Sequence, residues 1–253
     1  MQEVGRLAAI ARYPVKSMQG EALQTADVGE GGIVGDRAWA LRDRTSGEVL
    51  SGKREPRLML AAARTVGGSV EIEVPELGVH PAGDPHIDAV LSQWLGRDVR
   101  LEQATHDTEG LYQFQLDGDE SAEVLHLPVM DGSFFDLAPV HLLTSSSLRA
   151  AAELEPAVAW DVRRFRPTLL VDVDQEGFME DGWTGTVTVG GLGCVVLMPT
   201  IRCAMPMRPQ PGLPAAPTLM PALKRGHNSL LGLYLSVARP GTVVIGDRVS
   251  IGA

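Results

Sequence analysis

The two cysteines of this chain stand in contrasting surroundings. Cys203 follows Arg202 and opens the proline-rich run AMPMRPQPGLP. A thiolate, the form of cysteine that binds metals and attacks electrophiles, forms readily beside a cation. Cys194 lies in GGLGCVVLM, which reads as a buried strand, where a cysteine acts as a small hydrophobe. From Gly182 to Gly246 there is no Asp or Glu, yet Arg202, Arg208, Lys224, Arg225 and Arg239 are present. That pattern fits either apolar strands and proline loops with few charges of any sign, or a face that meets an anion which carboxylates would repel. Upstream stand Lys16 and Ser17 in YPVKS, Arg37 in GDRAW, Thr144 and Ser145 at the head of TSSS, and Arg163, Arg164 and Arg166 in RRFRP. Guanidinium forks, an ammonium and hydroxyls are the donors that phosphate oxygens need. The same residues also serve as surface charges, ion-pair partners and, for the Thr-Ser run, a helix N-cap.

Other chemistries find no support. GEVLSGK at 47–53 has the glycine and lysine spacing of a phosphate-binding loop, but Arg54 replaces the magnesium-binding hydroxyl and Pro56 interrupts the required helix. The glycines at 29–35 miss a dinucleotide fingerprint because Val34 takes the third glycine position. The histidines at 80, 86, 106, 126, 141 and 227 follow no zinc spacing. There is no G-x-S-x-G and no S-x-x-K, so serine hydrolase chemistry is not expected. Two cysteines build neither a disulfide scaffold nor an internal iron–sulfur cluster.

The elements that must position these groups read as mostly β. Strands are expected at 4–15, 37–42, 48–51, 70–74, 140–143, 168–173, 186–189, 192–198, 233–238 and 242–251, with the turn DRTSG joining 37–42 to 48–51 as a hairpin. One helix is marked by Asp84 as N-cap, Pro85, an apolar stripe at Ile87, Val90, Leu91, Trp94 and Leu95, and Gly96 as its stop. A second is expected at about 146–154. Residues 199–221 hold seven prolines and read as a long shaped loop without regular structure. The strands look antiparallel, so the expected class is mainly β with some helix (α+β), as barrel-like domains and not a doubly wound sheet. The acidic, glycine-containing stretch at 117–120 suggests a joint, dividing the chain into 1–118 and 119–253.

Composition narrows the partners. The chain has 253 residues, and its 32 acidic against 22 basic residues give a net charge of −10. That balance argues against nucleic acid, which is held by neutralising phosphates with Lys and Arg. No apolar run is long enough to span a bilayer, and charges at Glu3, Arg6 and Arg12 interrupt any signal-like segment. A cytoplasmic, reduced protein is expected.

In their order and arrangement, YPVKS with GDRAW, then RFRP, then PTIRC resemble the MOSC family, named after the C-terminal domain of molybdenum cofactor sulfurase. The likeness runs from about residue 4 to PGTVVIGD, with the N-terminal half resembling the β-barrel domain that precedes MOSC in the amidoxime-reducing branch. It implies a molybdenum cofactor (molybdopterin) contacted by Lys16, Ser17, Arg37, Thr144, Ser145, Arg166, Thr168 and Arg202. Cys203 is implied as the metal ligand and catalytic group. It further implies reduction of small N-hydroxylated substrates with electrons from a separate protein, and no haem, flavin or iron–sulfur centre in this chain. The family's other implied role is sulfur carriage, with a persulfide on Cys203. Two departures stand out: Thr168 takes the place of a common Asn after RFRP, and AMPMRPQPGLP replaces a Thr- and Asp-rich turn after RC.

Overall fold

A computed structural model describes residues 1–105, 108, 111–114, 125–128 and 132–252, the strands Leu111–Phe114 and Leu125–Pro128 through their backbone alone. Seven strands close into a barrel: Gln2–Arg12, Val140–Thr144, Leu169–Asp172, Thr186–Val189, Leu192–Ile201, Leu230–Arg239 and Arg248–Gly252. Gln2–Arg12 closes the ring, pairing antiparallel with Arg248–Gly252 on one side and with Leu169–Asp172 on the other. The one parallel pairing in the ring joins Val140–Thr144 to Leu169–Asp172. Gln2–Arg12 and Leu192–Ile201 carry register shifts, at Glu3/Gly5 and Leu7/Ala9 in the first and at three points from Gly193 to Ile201 in the second. Such bulges bend strands and let a sheet curl to closure.

Valine and leucine fill the barrel because inward positions recur at every second residue. Leu7, Ile10, Val140, Leu142, Leu169, Val171, Val187, Val189, Leu233 and Leu235 are buried there together with Cys194. Each such side chain contributes about 1.5–3 kcal/mol when fully buried. A second core gathers Val15, Met18, Leu41, Leu58, Ile72, Leu91 and Leu95 around the helix Ile87–Leu95. Beside it lie the paired strands Trp39–Asp43 and Val99–Gln103, and the sheet of Ala62–Val66, Ser69–Val74 and Gly78–Pro81. The predicted division at 118/119 falls outside the described residues.

Several expected elements differ in detail. The 48–51 arm of the hairpin is reduced to a single bridge, Arg42 to Val49, and Trp39–Asp43 takes Val99–Gln103 as its partner. The turn itself forms, with Asp43 Oδ1 accepting from the backbone of Thr45 and Ser46. The first helix starts at Ile87, not Pro85, because Asp84 turns its carboxylate onto the His86 amide just ahead of it. Gly96 ends that helix in the left-handed conformation (φ 64°), as read from sequence. The run 242–251 splits into Gly241–Val244 and Arg248–Gly252, which join different sheets, because Asp247 bonds back to Val244 through backbone and carboxylate. The proline-rich stretch is more ordered than expected. It holds a short 3-10 turn at Met205–Met207 and runs into a helix, Leu219–His227. Pro221 is tolerated there because amides in a helix's first turn have no partner within the helix.

Candidate functional site

A cleft forms where the loops after the first barrel strand meet the loops around RFRP and Cys203. YPVKS and GDRAW run side by side: Lys16 N–H donates to the Trp39 carbonyl at 2.8 Å, Trp39 N–H to Pro14 at 3.0 Å, and Arg37 N–H to Tyr13 at 2.8 Å. Asp36 accepts from the Tyr13 amide at 2.7 Å and anchors the corner. Three residues of this cleft, Ser17, Arg37 and Arg166, sit at φ 68°, 48° and 55°. The left-handed region costs non-glycine residues on the order of 1–3 kcal/mol and is held only where the surroundings enforce it. A hydroxyl and two guanidiniums are thus set in place by backbone that the fold must constrain.

The cations here are unusually enclosed. Lys16 Nζ donates to the Phe134 carbonyl at 2.7 Å and to Asp136. Burial pulls its ammonium below the ordinary range, and Asp136 offsets only part of that. Burial alone would raise the Asp136 carboxyl; the positive charges of Lys16 and Lys53 outweigh it and hold it below the usual carboxylate value. Arg37 donates to Asp36 and, at 3.3 Å, to the Arg166 carbonyl. Arg166 is 8% exposed and donates to the Met18 carbonyl at 2.6 Å, and it forms no ion pair among the described residues. Burial, with Arg37 nearby, pulls its guanidinium down to about 10, so it stays charged at neutral pH. Both arginines lie over the ring of Tyr13, whose centroid is 4.5 Å from Arg37 Cζ and 4.1 Å from Arg166 Cζ. A cation over an aromatic face contributes about 0.5–2 kcal/mol.

Cys203 lies half-buried on the cleft wall, and its position is fixed by its neighbour. Arg202 points inward, donating to the carbonyls of Leu231 (2.9 Å) and Phe165 (3.0 Å) and to His141 Nε2. Burial lowers it to about 10. For Nε2 to accept from Arg202, His141 must be neutral with its proton on Nδ1, which faces the Arg166 carbonyl at 3.4 Å. Burial and the Arg202 charge hold its pKa well below the ordinary 6.5. Thr168 clasps the same histidine, its hydroxyl accepting from the His141 amide at 3.0 Å and donating to the His141 carbonyl at 3.1 Å. Cys194 is the counterpart: 1% exposed in the barrel, its thiol pushed up to about 12 by burial.

Of the residues singled out in the sequence, Lys16, Ser17, Arg37, Arg166, Thr168, Arg202 and Cys203 all line this cleft. Thr144 and Ser145 do not. Thr144 caps the helix Ser145–Leu154, accepting from Ser147 N–H and donating to the buried Glu180. Ser145 bonds Asp172 at 2.6 Å. Thr144 thus serves the helix start that the Thr-Ser run also suggested, and Ser145 ties that start to the end of the strand Leu169–Asp172. Arg163 is exposed and paired with Asp161, whereas Arg164 is 1% exposed and straps the proline-rich loop, donating to the carbonyls of Pro206, Arg208 and Pro214. Sequence reasoning passed over Tyr13, Asp136, His141, Ser51 and Lys53. His141 follows no metal spacing, and Lys53 stood in the discarded GEVLSGK motif.

The donor set fits an anionic, thiol-ligated cofactor. Buried cations carry more charge than the carboxylates beside them, and a single thiol shares their cleft. Among the described residues no three His, Cys, Asp or Glu side chains converge to cage a metal, so a metal here would need most of its ligands from elsewhere. Lys16, Ser17, Arg37 and Arg166 would hold the anion, and Cys203 would offer sulfur.

A closed barrel with an accessory β module, and a cationic cleft opening on one thiol, defines a class of anion-holding thiol sites. Within it, residues 4–112 match the MOSC N-terminal beta barrel domain and residues 130–250 the MOSC domain. The chain belongs to the MOSC family. It is 25% identical over 285 residues to "Mitochondrial amidoxime reducing component 2" of Homo sapiens, covering 98% of this chain and 84% of that one. It is likewise 25% identical to "Mitochondrial amidoxime-reducing component 1" of Xenopus laevis, with 98% and 82% covered. Among solved structures, the YUAD protein from Bacillus subtilis matches at 12% identity with a TM-score of 0.50, over 97% of this chain and 94% of that one, a likeness of fold. No helix among the described residues is long and apolar enough to cross a membrane.

Proposed function

We propose that this chain is a molybdenum-cofactor oxidoreductase that reduces small N-hydroxylated compounds with electrons delivered by a separate protein. The observation that carries this reading is the convergence of Cys203 with Lys16, Ser17, Arg37 and Arg166 in one cleft. Relatives named for amidoxime reduction support the substrate class. When bound, the cofactor supplies two-electron redox chemistry. Reduction of R–NHOH to R–NH2 consumes two electrons and two protons and releases water.

The chain's own part is binding and orientation. Lys16, Ser17, Arg37 and Arg166 hold the anionic cofactor, and Arg202, tied to three partners, fixes the backbone from which the Cys203 thiol projects. Neutral His141 lets Arg202 donate inward without meeting a second positive charge. The fold is read as a MOSC N-terminal domain over 1–118, whose first strand Gln2–Arg12 completes the barrel of the MOSC domain over 119–253.

The test is metal and pterin analysis of the purified protein, followed by turnover of an amidoxime with a chemical electron donor. About one molybdenum and one pterin per chain, with turnover, supports the reading. The half-exposed thiol also suits a persulfide. A protein that lacks molybdenum but accepts labelled sulfur on Cys203 would be a carrier instead.

A further inference from the structure

One wall of the cleft comes from a segment whose sequence resembled a phosphate loop. Ser51 and Lys53, from GEVLSGK, line the same cleft as Cys203. The nucleotide reading fails in the structure, since a 3-10 turn at Pro56–Leu60 stands where the helix of a phosphate loop would start. The segment is nonetheless built into the site. Gly52 N–H donates to Ser17 Oγ at 2.9 Å. A Cβ on Gly52 would lie 3.0 Å from the Met59 side chain and 3.1 Å from that of Met205, so the segment packs closely on both. Arg208 Nη2 donates to the Lys53 carbonyl at 3.3 Å. Met205 and Arg208 belong to the loop that Cys203 opens, so Lys53 is held against the thiol's own loop.

The electrostatics of the cleft are one-sided. Among the described residues, Lys16, Arg37, Lys53, Arg164, Arg166 and Arg202 line it with one carboxylate, Asp136. Lys16 and Arg166 are buried, whereas Lys53 is half-buried. Arg37 is half-buried too, but its guanidinium is tied to Asp36 and the Arg166 carbonyl; Lys53 stands on the segment packed against the Cys203 loop, where a ligand entering from solvent can reach it. Clefts lined by one sign of charge concentrate ligands of the other.

We propose that Lys53, with the Ser51 hydroxyl, holds an anionic group of the substrate, so that this chain favours N-hydroxylated molecules bearing a carboxylate over neutral ones. This rests on the reductase reading and names its substrate class. The contact is a charge-assisted hydrogen bond from the ammonium to a carboxylate oxygen.

The experiment compares kcat/KM of the cofactor-loaded protein for 4-carboxybenzamidoxime and for benzamidoxime at low ionic strength. The carboxylate substrate is expected to be preferred. Lys53→Gln should lower the ratio of the two by about five- to tenfold, the effect of one partly exposed charge-assisted contact. Lys53→Arg should keep most of it. Arg54→Gln, at an exposed side chain outside the cleft, should leave the ratio unchanged and so control for general surface charge. An unchanged ratio in Lys53→Gln overturns the proposal. Loss of pterin in Lys53→Gln at an unchanged ratio overturns it too and assigns Lys53 to the cofactor's phosphate.

Should the wild-type protein reduce neither compound, the reductase reading falls by itself. Calorimetric binding of the same two compounds to the oxidised protein then decides the anion site. A lower relative affinity for the carboxylate in Lys53→Gln upholds it, and equal affinities in wild type overturn it.

Discussion

Cys194 and Cys203 lie nine positions apart, one inside the strand Leu192–Ile201 and one just beyond its end, yet the chain treats them in opposite ways. Around Cys194 the barrel supplies apolar side chains, mostly valine, leucine and isoleucine, and burial pushes the thiol to about 12, out of reach of chemistry at neutral pH. Around Cys203 the strand has ended, the backbone is held through Arg202, and the thiol opens on enclosed cations. The difference teaches that an accessible thiol here comes from where a regular element stops. Within the barrel every second side chain is committed to the core; beyond it, backbone held by carbonyl bonds and left-handed φ angles can present charge inward.

The sharpest way to break the comparison is to exchange the fates of the two thiols. Cys203→Ser should lower reductase turnover by more than about a hundredfold, because a hydroxyl stays protonated near neutral pH and is a poor substitute for thiolate. Cys194→Ala should keep turnover and lose only about 1 kcal/mol of stability, the usual scale for a small core deletion. Turnover assays and denaturant melts on the two variants check both. Equal turnover in wild type and Cys203→Ser would end the thiolate assignment.

The next effect concerns the enclosed cations. Arg166→Ala removes a buried guanidinium that faces the cleft and has no ion-pair partner among the described residues. A hydrogen bond to a charged group contributes about 1.5–3 kcal/mol, so cofactor affinity should fall by roughly ten- to a hundredfold. Pterin content after dialysis reads this directly, and full retention would remove Arg166 from the binding set.

Much of this contrast was legible in the sequence. Cys194 sat in an unbroken apolar run, and Cys203 beside an arginine in a stretch free of acids, so their fates followed from local composition. The cleft cations were legible through their motifs. What did not show was how the chain arranges backbone around them. Nothing in YPVKS says that Ser17 adopts φ 68°, because the strain is imposed by partners such as the Gly52 amide, 35 residues on. Thr144 and Ser145 have the right donors for phosphate, yet helix capping claimed Thr144, and Asp172 and Val173 claimed Ser145. The helix Leu219–His227 was hidden because proline counts as a breaker wherever it falls, although the first turn tolerates it.

A smaller effect would sharpen the account of how the arginines are held. Tyr13→Leu removes a ring shared by Arg37 and Arg166, whereas Tyr13→Phe keeps the ring and loses only a hydroxyl that donates to Pro167 at 3.3 Å. Two cation–π contacts of about 0.5–2 kcal/mol each predict that the leucine variant retains several-fold less cofactor while the phenylalanine variant stays near wild type. Equal retention in both would show that the ring only fills space.

The smallest effect is a pH dependence. His141 is neutral in the folded protein because burial and Arg202 hold its pKa well below 6.5, while in the unfolded chain it titrates at its ordinary value. Below about pH 6.5 the unfolded state therefore binds a proton that the folded state refuses, and stability falls as the pH drops. The loss grows by at most about 1.4 kcal/mol per pH unit and stops once the folded pKa is reached. Above pH 6.5 neither state is protonated, and this contribution is flat. His141→Gln keeps an acceptor for Arg202 but cannot titrate, so its stability should show a shallower slope between pH 6.5 and 5 than the wild type. Urea midpoints across that window measure the difference. If the two slopes coincide, the histidine is already charged in the fold, and Arg202 would then face a second positive charge where the cleft is most enclosed.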